Sequence, residues 1–485
     1  MHGHPHRDPV MKMSLRALTA AALATCFVTF AAPRARAQMT LNPHQQALHD
    51  IYKELIETNT EDSAGVGSVT KASEQIAARF RAAGYPESDI HLLGPTPDKH
   101  SIVVRLHGTG ARKPLLLIAH LDVVMALPSD WTTDPFKLVE KDGYYYARGS
   151  IDDKAMASIF VANMIRYKKE GFVPDRDIIL ALTPDEEKSG QLGANWLVQN
   201  HKDLIDAAYA INEGGGGSLK NGKPFLQAVQ ATEKAFTNFT LTVRNPGGHS
   251  SVPRPDNAIY QLAEGLVRFE HFKFPVQLND VTRAFFSGTA AIETPANAAA
   301  MRALLENPND AAAAATLSKD ARYNSMLRTT CVATRLSGGH ADNALPQTAT
   351  ALVNCRVFPN VPIDSVRNTI VRVLADTGIA VSPSEKMDPT SPSPLTPELM
   401  EPIRTLTRQM FNDVPVIPFM STGATDGRYL RAGGIPTYGV SGLFLDPADV
   451  RAHGRDERVP QKSLYDSQEF LYQLVKMLST EKPKV

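Results

Sequence analysis

The chain has 485 residues, with 51 Lys plus Arg set against 51 Asp plus Glu, so its formal net charge is zero. That balance gives no support for nucleic acid or an anionic membrane surface as partner. Apolar content of 43% with 21% charged residues excludes a disordered chain, and the length suits one large domain or two ordinary ones around a substantial core. The N-terminus carries an export pattern. Lys12 and Arg16 precede an apolar stretch from Ala17 to Ala32, and Ala35-Arg36-Ala37 offers an A-x-A cleavage site before Gln38. The stretch is short for a membrane span, so 1–37 reads as a signal peptide cleaved after Ala37, in a periplasmic or secreted protein with no stable membrane span left. An uncleaved anchor and lipidation at Cys26 are the alternatives. Two cysteines remain in the mature chain, Cys331 and Cys355. An oxidising compartment permits a disulfide between them; two buried thiols fit as well.

From about residue 42, helices and strands alternate. Periodicity predicts amphipathic helices over 41–58 and 71–85, the second stopped by Gly84 and Pro86. The run KPLLLIAH, 113–120, predicts a central strand, and 154–171 a helix ending at Gly171. DRDIILALT and DAAYAIN predict two more buried strands. This order argues for an α/β fold, a mostly parallel sheet with helices on both faces. Near 230 the pattern changes to alternating Thr/Val-rich segments at 234–245, 329–339 and 349–359, as in half-exposed antiparallel strands. Helical patterns over 256–272 and 363–378 accompany them, and Ala-rich 297–324 predicts an inserted helical hairpin. A Pro/Ser linker at 389–398 marks a boundary. An α+β domain, 232–388, is therefore expected to be inserted into a larger one formed by 38–231 and 389–485.

Polar residues fall where these strands end. His120 ends the first predicted strand, Glu186 and Glu187 follow the second, and Glu213 follows the third. Sites in open α/β sheets form outside the carboxyl ends of strands. Asp122 is spaced to accept the spare ring N–H of His120. Asp152 and Asp153 precede a helix, where an exposed N-cap explains them equally well. Glu186-Glu187 can serve as base and ligand or form a solvated turn, and His453 lies in a polar loop. Together His120, Asp152, Glu187, Glu213 and His453 make a donor set for two divalent metals. Glu186 is left over where a general base is wanted, which suggests metal-assisted amide hydrolysis. His249, Asn343, Arg356, Asp426 and Arg428 sit in further polar motifs that are weak taken singly.

The order HxD, DDK, EE, NEG, GGHSS, NALP, HGxxE resembles the co-catalytic di-zinc exopeptidases and amidohydrolases. That family includes aminoacylase, glutamate carboxypeptidase and carboxypeptidase S. The resemblance spans about 45–480 and implies a catalytic domain with an inserted lid that often dimerises. It implies two Zn2+ (Co2+ or Mn2+ accepted), with Asp152 bridging, His120 and Glu213 on one metal, and Glu187 and His453 on the other. Glu186 would be the general base and Asp122 the orienter of His120. A cis peptide after Asp152 is implied too. His249 resembles the lid histidine that reaches the site from a second subunit. Asn343 and Arg356 resemble lid residues for the substrate and its free carboxylate, and Asp426 and Arg428 a pocket loop. Met125 and Ala155 stand where relatives commonly have Pro and Gly, and 297–324 lengthens the lid toward the carboxypeptidase S-like branch. The expectation is a carboxypeptidase acting on small peptides. An N-acyl-amino-acid hydrolase is the alternative within enzymes, and an inactive peptide-binding relative or a zinc-storage module are alternatives outside them.

Overall fold

A computed structural model of the chain describes residues 39–61 and 67–480; the signal peptide assigned to 1–37 lies outside the described residues. The first helix, Pro43–Glu57, starts at Asn42, whose side chain accepts from the backbone of Gln45 while Gln45 bonds back. That capping box, with Pro43 in the first turn, satisfies N–H groups that a helix start leaves orphaned. Strands Leu115–His120 and Ile178–Thr183 are buried at every residue. Leu115 and Leu117 face the main core, and Leu116 and Ile118 face a second core built with Leu197, Leu430 and Ile435. A strand covered on both faces has no polar side to show, hence its unbroken apolar run.

These strands form the centre of a ten-stranded mixed sheet. Ile178–Thr183, Leu115–His120, Tyr209–Asn212 and Thr437–Gly439 run parallel in that order. Ser101–Leu106 flanks them antiparallel on one side and Lys223–Glu233 on the other. Val416–Ser421 pairs parallel with Lys223–Glu233. Among the described residues no helix is long and apolar enough to cross a membrane.

One residue after Lys223–Glu233 ends, Ala235–Arg244 begins a second sheet, ordered Thr330–Gly338, Thr348–Val357, Ala235–Arg244, Ile379–Lys386 and antiparallel throughout. Thr348–Val357 alternates half-buried and buried residues along its length. Its buried face packs with helices Ala258–Glu270 and Ile363–Leu374 around Phe239, Val353 and Ile370. Cys331 and Cys355 are paired across neighbouring strands and form a disulfide. The Ala-rich stretch is not one hairpin. Three helices, Pro295–Glu306, Ala311–Leu317 and Ala321–Leu327, cover it, and Asp280–Thr289 just before it packs with them. Asp310 and Asp320 each cap a new helix, which breaks what Ala propensity alone would continue. They share a core of Phe286, Met301, Leu304 and Leu317 that reaches Phe358 on one side and Met420 on the other.

Candidate metal centre

Three parallel strands deliver the site at their carboxyl ends. His120 is the last residue of its strand, Glu186 and Glu187 follow the strand ending at Thr183, and Glu213 follows the strand ending at Asn212. Asp152 arrives from the turn before helix Lys154–Lys169, and the Asp152–Asp153 peptide is cis. His453, on a distant loop, completes the set with a positive φ of 62°.

The geometry divides around Asp152. Its Oδ1 lies 3.1 Å from His120 Nε2, and its Oδ2 lies 3.0 Å from His453 Nε2. His453 Nε2 is also 2.9 Å from Glu187 Oε2. Donor atoms of His120, Asp152 and Glu213 lie within 4.8 Å of one another, as do those of Asp152, Glu187 and His453. One carboxylate thus belongs to two trios. Glu186 approaches His120 to 4.0 Å without joining either trio.

Charge crowding sets the protonation of this cluster. Burial pushes the carboxyls of Glu186 and Glu213 well above their usual range; Asp426 adds to the first and Glu186 to the second. Burial also works against a charged Asp152, but hydrogen bonds from His120 and His453 outweigh it and hold that carboxyl well below its usual range. Hydrogen bonds to Asp152 and Glu187 raise His453 to about 10. Burial opposes protonation of His120, yet Asp152 and the charge of Glu186 raise it well above its ordinary value. Glu187 Oε1 and Asp153 Oδ2 are buried and take no hydrogen bond within the protein. Buried carboxylate oxygens without donors, beside two imidazoles whose Nε2 atoms turn toward the same acids, fit divalent cations. The donor set therefore suits two such ions.

Asp122 behaves differently from the spacing argument. The Nδ1 of His120 bonds the backbone carbonyl of Asp122 at 2.9 Å, while the carboxylate stands 3.7 Å away. The carboxylate instead accepts from the backbone N–H of Glu186 at 3.2 Å and of Glu187 at 3.1 Å. It fixes the loop that carries both glutamates, and burial raises it to about 7.

Sequence reasoning assigned no role to Glu457. This fully buried carboxylate accepts from Arg148 Nη1 at 2.6 Å and from the backbone N–H groups of Gly149, Ile151 and Asp152 at 3.1, 2.8 and 3.3 Å. It shares a loop with His453, so one segment supplies a donor and braces the turn that presents Asp152. Its signal was the HGxxE spacing. Lys154 is buried too, bonding the carbonyls of Leu55 and Thr58, and burial lowers it to about 7.

The remaining candidates belong to neither trio. Asp426 Oδ2 accepts from Thr183 Oγ1 at 2.7 Å, behind the glutamate loop, and burial raises it to about 6. Arg428 bonds the Ser189 carbonyl. The Arg356 guanidinium sits 5.6 Å over the Phe236 ring, and burial with the charge of Arg428 lowers its pKa. His249 and Asn343 are exposed at a short ladder, Gly248–His249 against Ala344–Leu345. Among the described residues, neither bonds nor pairs with the cluster.

Residues 116–477 match the model for peptidase family M20/M25/M40. The N-fatty-acyl-amino acid synthase/hydrolase of Xenopus tropicalis is 30% identical over 76% of this chain and 73% of its own. A probable carboxypeptidase S-like protein of Dictyostelium discoideum is 29% identical over 76% and 72%. Among solved structures, an M20 family metallo-carboxypeptidase from Sulfolobus solfataricus superposes with a TM-score of 0.68 at 17% identity, covering 90% of this chain and 100% of that one.

Proposed function

We propose that this chain, which belongs to peptidase family M20/M25/M40 and is a metallo-hydrolase, cleaves the amide bond next to a free C-terminal carboxylate. The observation that carries the reading is Asp152, whose two oxygens divide between the trio with His120 and Glu213 and the trio with Glu187 and His453. Those five residues would hold two Zn2+ ions, with Co2+ or Mn2+ as substitutes. When bound, such ions polarise the scissile carbonyl and make water more acidic. Glu186 takes the proton of the attacking water and returns it to the leaving amine. Asp122 holds the Glu186 loop in place through two backbone bonds. Arg356 offers a planar fork to the substrate carboxylate, beside Arg428, and His249 and Asn343 act from the lid. Glu186→Gln should keep its metal and lose at least about a hundredfold in kcat; a near-parental rate would remove Glu186 from that role.

Carboxypeptidase action on small peptides is the leading reading. Likeness to the Xenopus synthase/hydrolase favours a second, release of an acyl group from an N-acyl amino acid. Blocked dipeptides and N-acyl amino acids, each with a free and an amidated C-terminus, separate them. Cleavage confined to free carboxylates supports the class, and the preferred acyl group chooses within it. Cleavage of amidated substrates at equal rate would sink it.

Export follows from the same chain: 1–37 is a signal peptide removed after Ala37, and the Cys331–Cys355 disulfide suits an oxidising compartment. Mass spectrometry of the secreted or periplasmic form should start at Gln38. Residues 232–388 act as a lid that pairs two copies through the free edge of strand Thr330–Gly338, where Val332 and Leu336 are 60% and 69% exposed. Sedimentation giving a monomer at assay concentration would reject that pairing.

A further inference from the structure

One segment that supplies no donor holds two of the loops that do. His120 and Asp152 lie 32 residues apart in sequence, yet Nε2 of one stands 3.1 Å from Oδ1 of the other. Both of their loops rest on the end of the first helix, Pro43–Glu57, and on the residues that trail it to Glu61. This segment precedes the family-matched stretch, which starts at residue 116. Its polar side chains face inward: Tyr52 and Thr60 are fully buried, and Glu61 is 6% exposed.

On the Asp152 side, the Tyr52 hydroxyl donates to the Ser150 carbonyl at 2.9 Å, two residues before the shared acid. Two residues after that acid, Lys154 Nζ donates to the carbonyls of Leu55 and Thr58 at 2.9 and 3.0 Å. Those carbonyls lie at the helix C-terminus, where the helical ladder runs out of donors, so the ammonium clamps the helix end to the turn. On the His120 side, Thr60 Oγ1 donates to the Leu121 carbonyl at 2.6 Å, and the Thr60 carbonyl accepts from the Val123 N–H at 3.2 Å. Glu61 pairs parallel with Val123 in a single bridge, and its Oε1 accepts from the Ala126 N–H at 2.6 Å. The two loops also press together, since a Cβ on Gly149 would come within 2.8 Å of Val123 Cγ1. The glutamate loop takes its support one step further on, through the Asp122 carboxylate.

We infer that residues 52–61 form a positioning strap that fixes the His120 loop against the Asp152 turn, with Tyr52, Thr60 and Glu61 as its positioning residues. The inference rests on the two-metal reading above. Two donors on separate loops meet one ion only within a narrow range of distance and angle. Tying both loops to one helix end sets that distance before the ion arrives, so binding need not order them. Each bond has its own reach. Thr60 acts on the loop of His120, a member of one trio, whereas Tyr52 acts on the turn of Asp152, a member of both.

The test measures zinc affinity of the full-length chain by dialysis against zinc buffers. Thr60→Val keeps the side-chain shape and removes the hydroxyl. It should weaken one zinc about 10–100-fold and the other by less, as loss of an outer partner does. Thr60→Ser keeps the hydroxyl and should restore the parental values. Tyr52→Phe keeps the edge-on packing against Tyr145 and loses only the bond to Ser150, so it should weaken both ions alike. Ser73→Ala is the stability control. It removes an equally buried hydroxyl from the His100 carbonyl, outside both loops, and should leave both affinities parental. The Tm of the metal-free protein reports whether each variant folds. Parental affinities in folded Thr60→Val and Tyr52→Phe overturn the inference, as does an equal loss in Ser73→Ala. If the parent holds fewer than two zinc ions, the two-metal reading fails, and hydrogen exchange decides the strap alone. Faster exchange at 121–126 in Thr60→Val and at 149–154 in Tyr52→Phe, beyond that in Ser73→Ala, supports it; unchanged exchange overturns it.

Discussion

Asp152 and Glu457 are the residues on which the site turns, and each has a distinct signature. Glu457 is a member of neither donor trio, yet it accepts from the backbone N–H groups of Gly149, Ile151 and Asp152 in the turn that presents Asp152. Gln at 457 keeps one acceptor but points an amide at those donors. Glu457→Gln should weaken metal binding about 10–100-fold, as loss of an outer partner typically does. Dialysis against a metal buffer measures this. A folded variant with parental affinity would reduce Glu457 to a structural role. His453 gives a pH prediction. Its pKa rises from 6.5 to about 10 in the metal-free fold, through Asp152 and Glu187. The folded state holds that proton more tightly than the unfolded one, so its stabilisation is full below about 6.5 and is lost as pH rises toward 10. A metal ion must displace the same proton, so metal affinity should increase with pH across that window and binding should release protons. Calorimetry in buffers of different ionisation enthalpy reads the release directly; no buffer dependence at pH 7 would contradict the shift.

At the scale of elements, legibility followed burial. Leu115–His120 and Ile178–Thr183 could be read because strands covered on both faces are apolar throughout. Thr348–Val357 could be read because one face is covered and the other is not. His120, Glu187 and Glu213 stood out because acids and histidines at strand ends break an apolar pattern, whereas Asp152, before a helix, and His453, in a polar loop, took their meaning from the order of the motifs. Glu457 did not, since a buried acid in a polar loop has no periodicity to violate. Nor could single-sequence patterning pair Val416–Ser421 with Lys223–Glu233, about 190 residues away, because register depends on partners that periodicity does not name. The Ala-rich region shows the opposite limit, where uniform helix propensity hid its breaks. Its three helices, with Asp280–Thr289 before them, share one core in which Met301 is fully buried. Met301→Ala should cost about 2–4 kcal/mol, and hydrogen exchange should show 280–327 opening before the main sheet. The same variant is the control for Glu457→Gln, because it lowers stability without touching metal affinity. Equal protection loss across the main sheet would mean that these helices are not a separable unit.

Across the whole molecule, two sheets meet at a joint of one residue, and that residue is a buried lysine. Glu233, the last residue of the large-sheet strand, is bound to Arg431 and Thr425. Lys234 Nζ reaches across to Thr330 of the small sheet at 3.2 Å. Burial, with the charges of Arg356 and Arg328, lowers Lys234 from 10.5 to about 7. The unfolded chain therefore binds this proton more tightly than the folded one. Folding is penalised in full below about pH 7, and the penalty fades as pH rises toward 10.5. Lys234→Met keeps the length of the stem and removes the ammonium. It should raise unfolding free energy at pH 6–7 by on the order of 2 kcal/mol, with the gain shrinking by pH 10. Urea denaturation at the two pH values measures both. A destabilised variant at pH 6–7 would show that the ammonium, held by Thr330, ties the two sheets together more strongly than its burial opposes them. In either case kcat/KM on the free-carboxylate substrate locates the effect. A joint that only spaces the sheets leaves the rate near parental, whereas one that sets Arg356 against the cluster changes KM first.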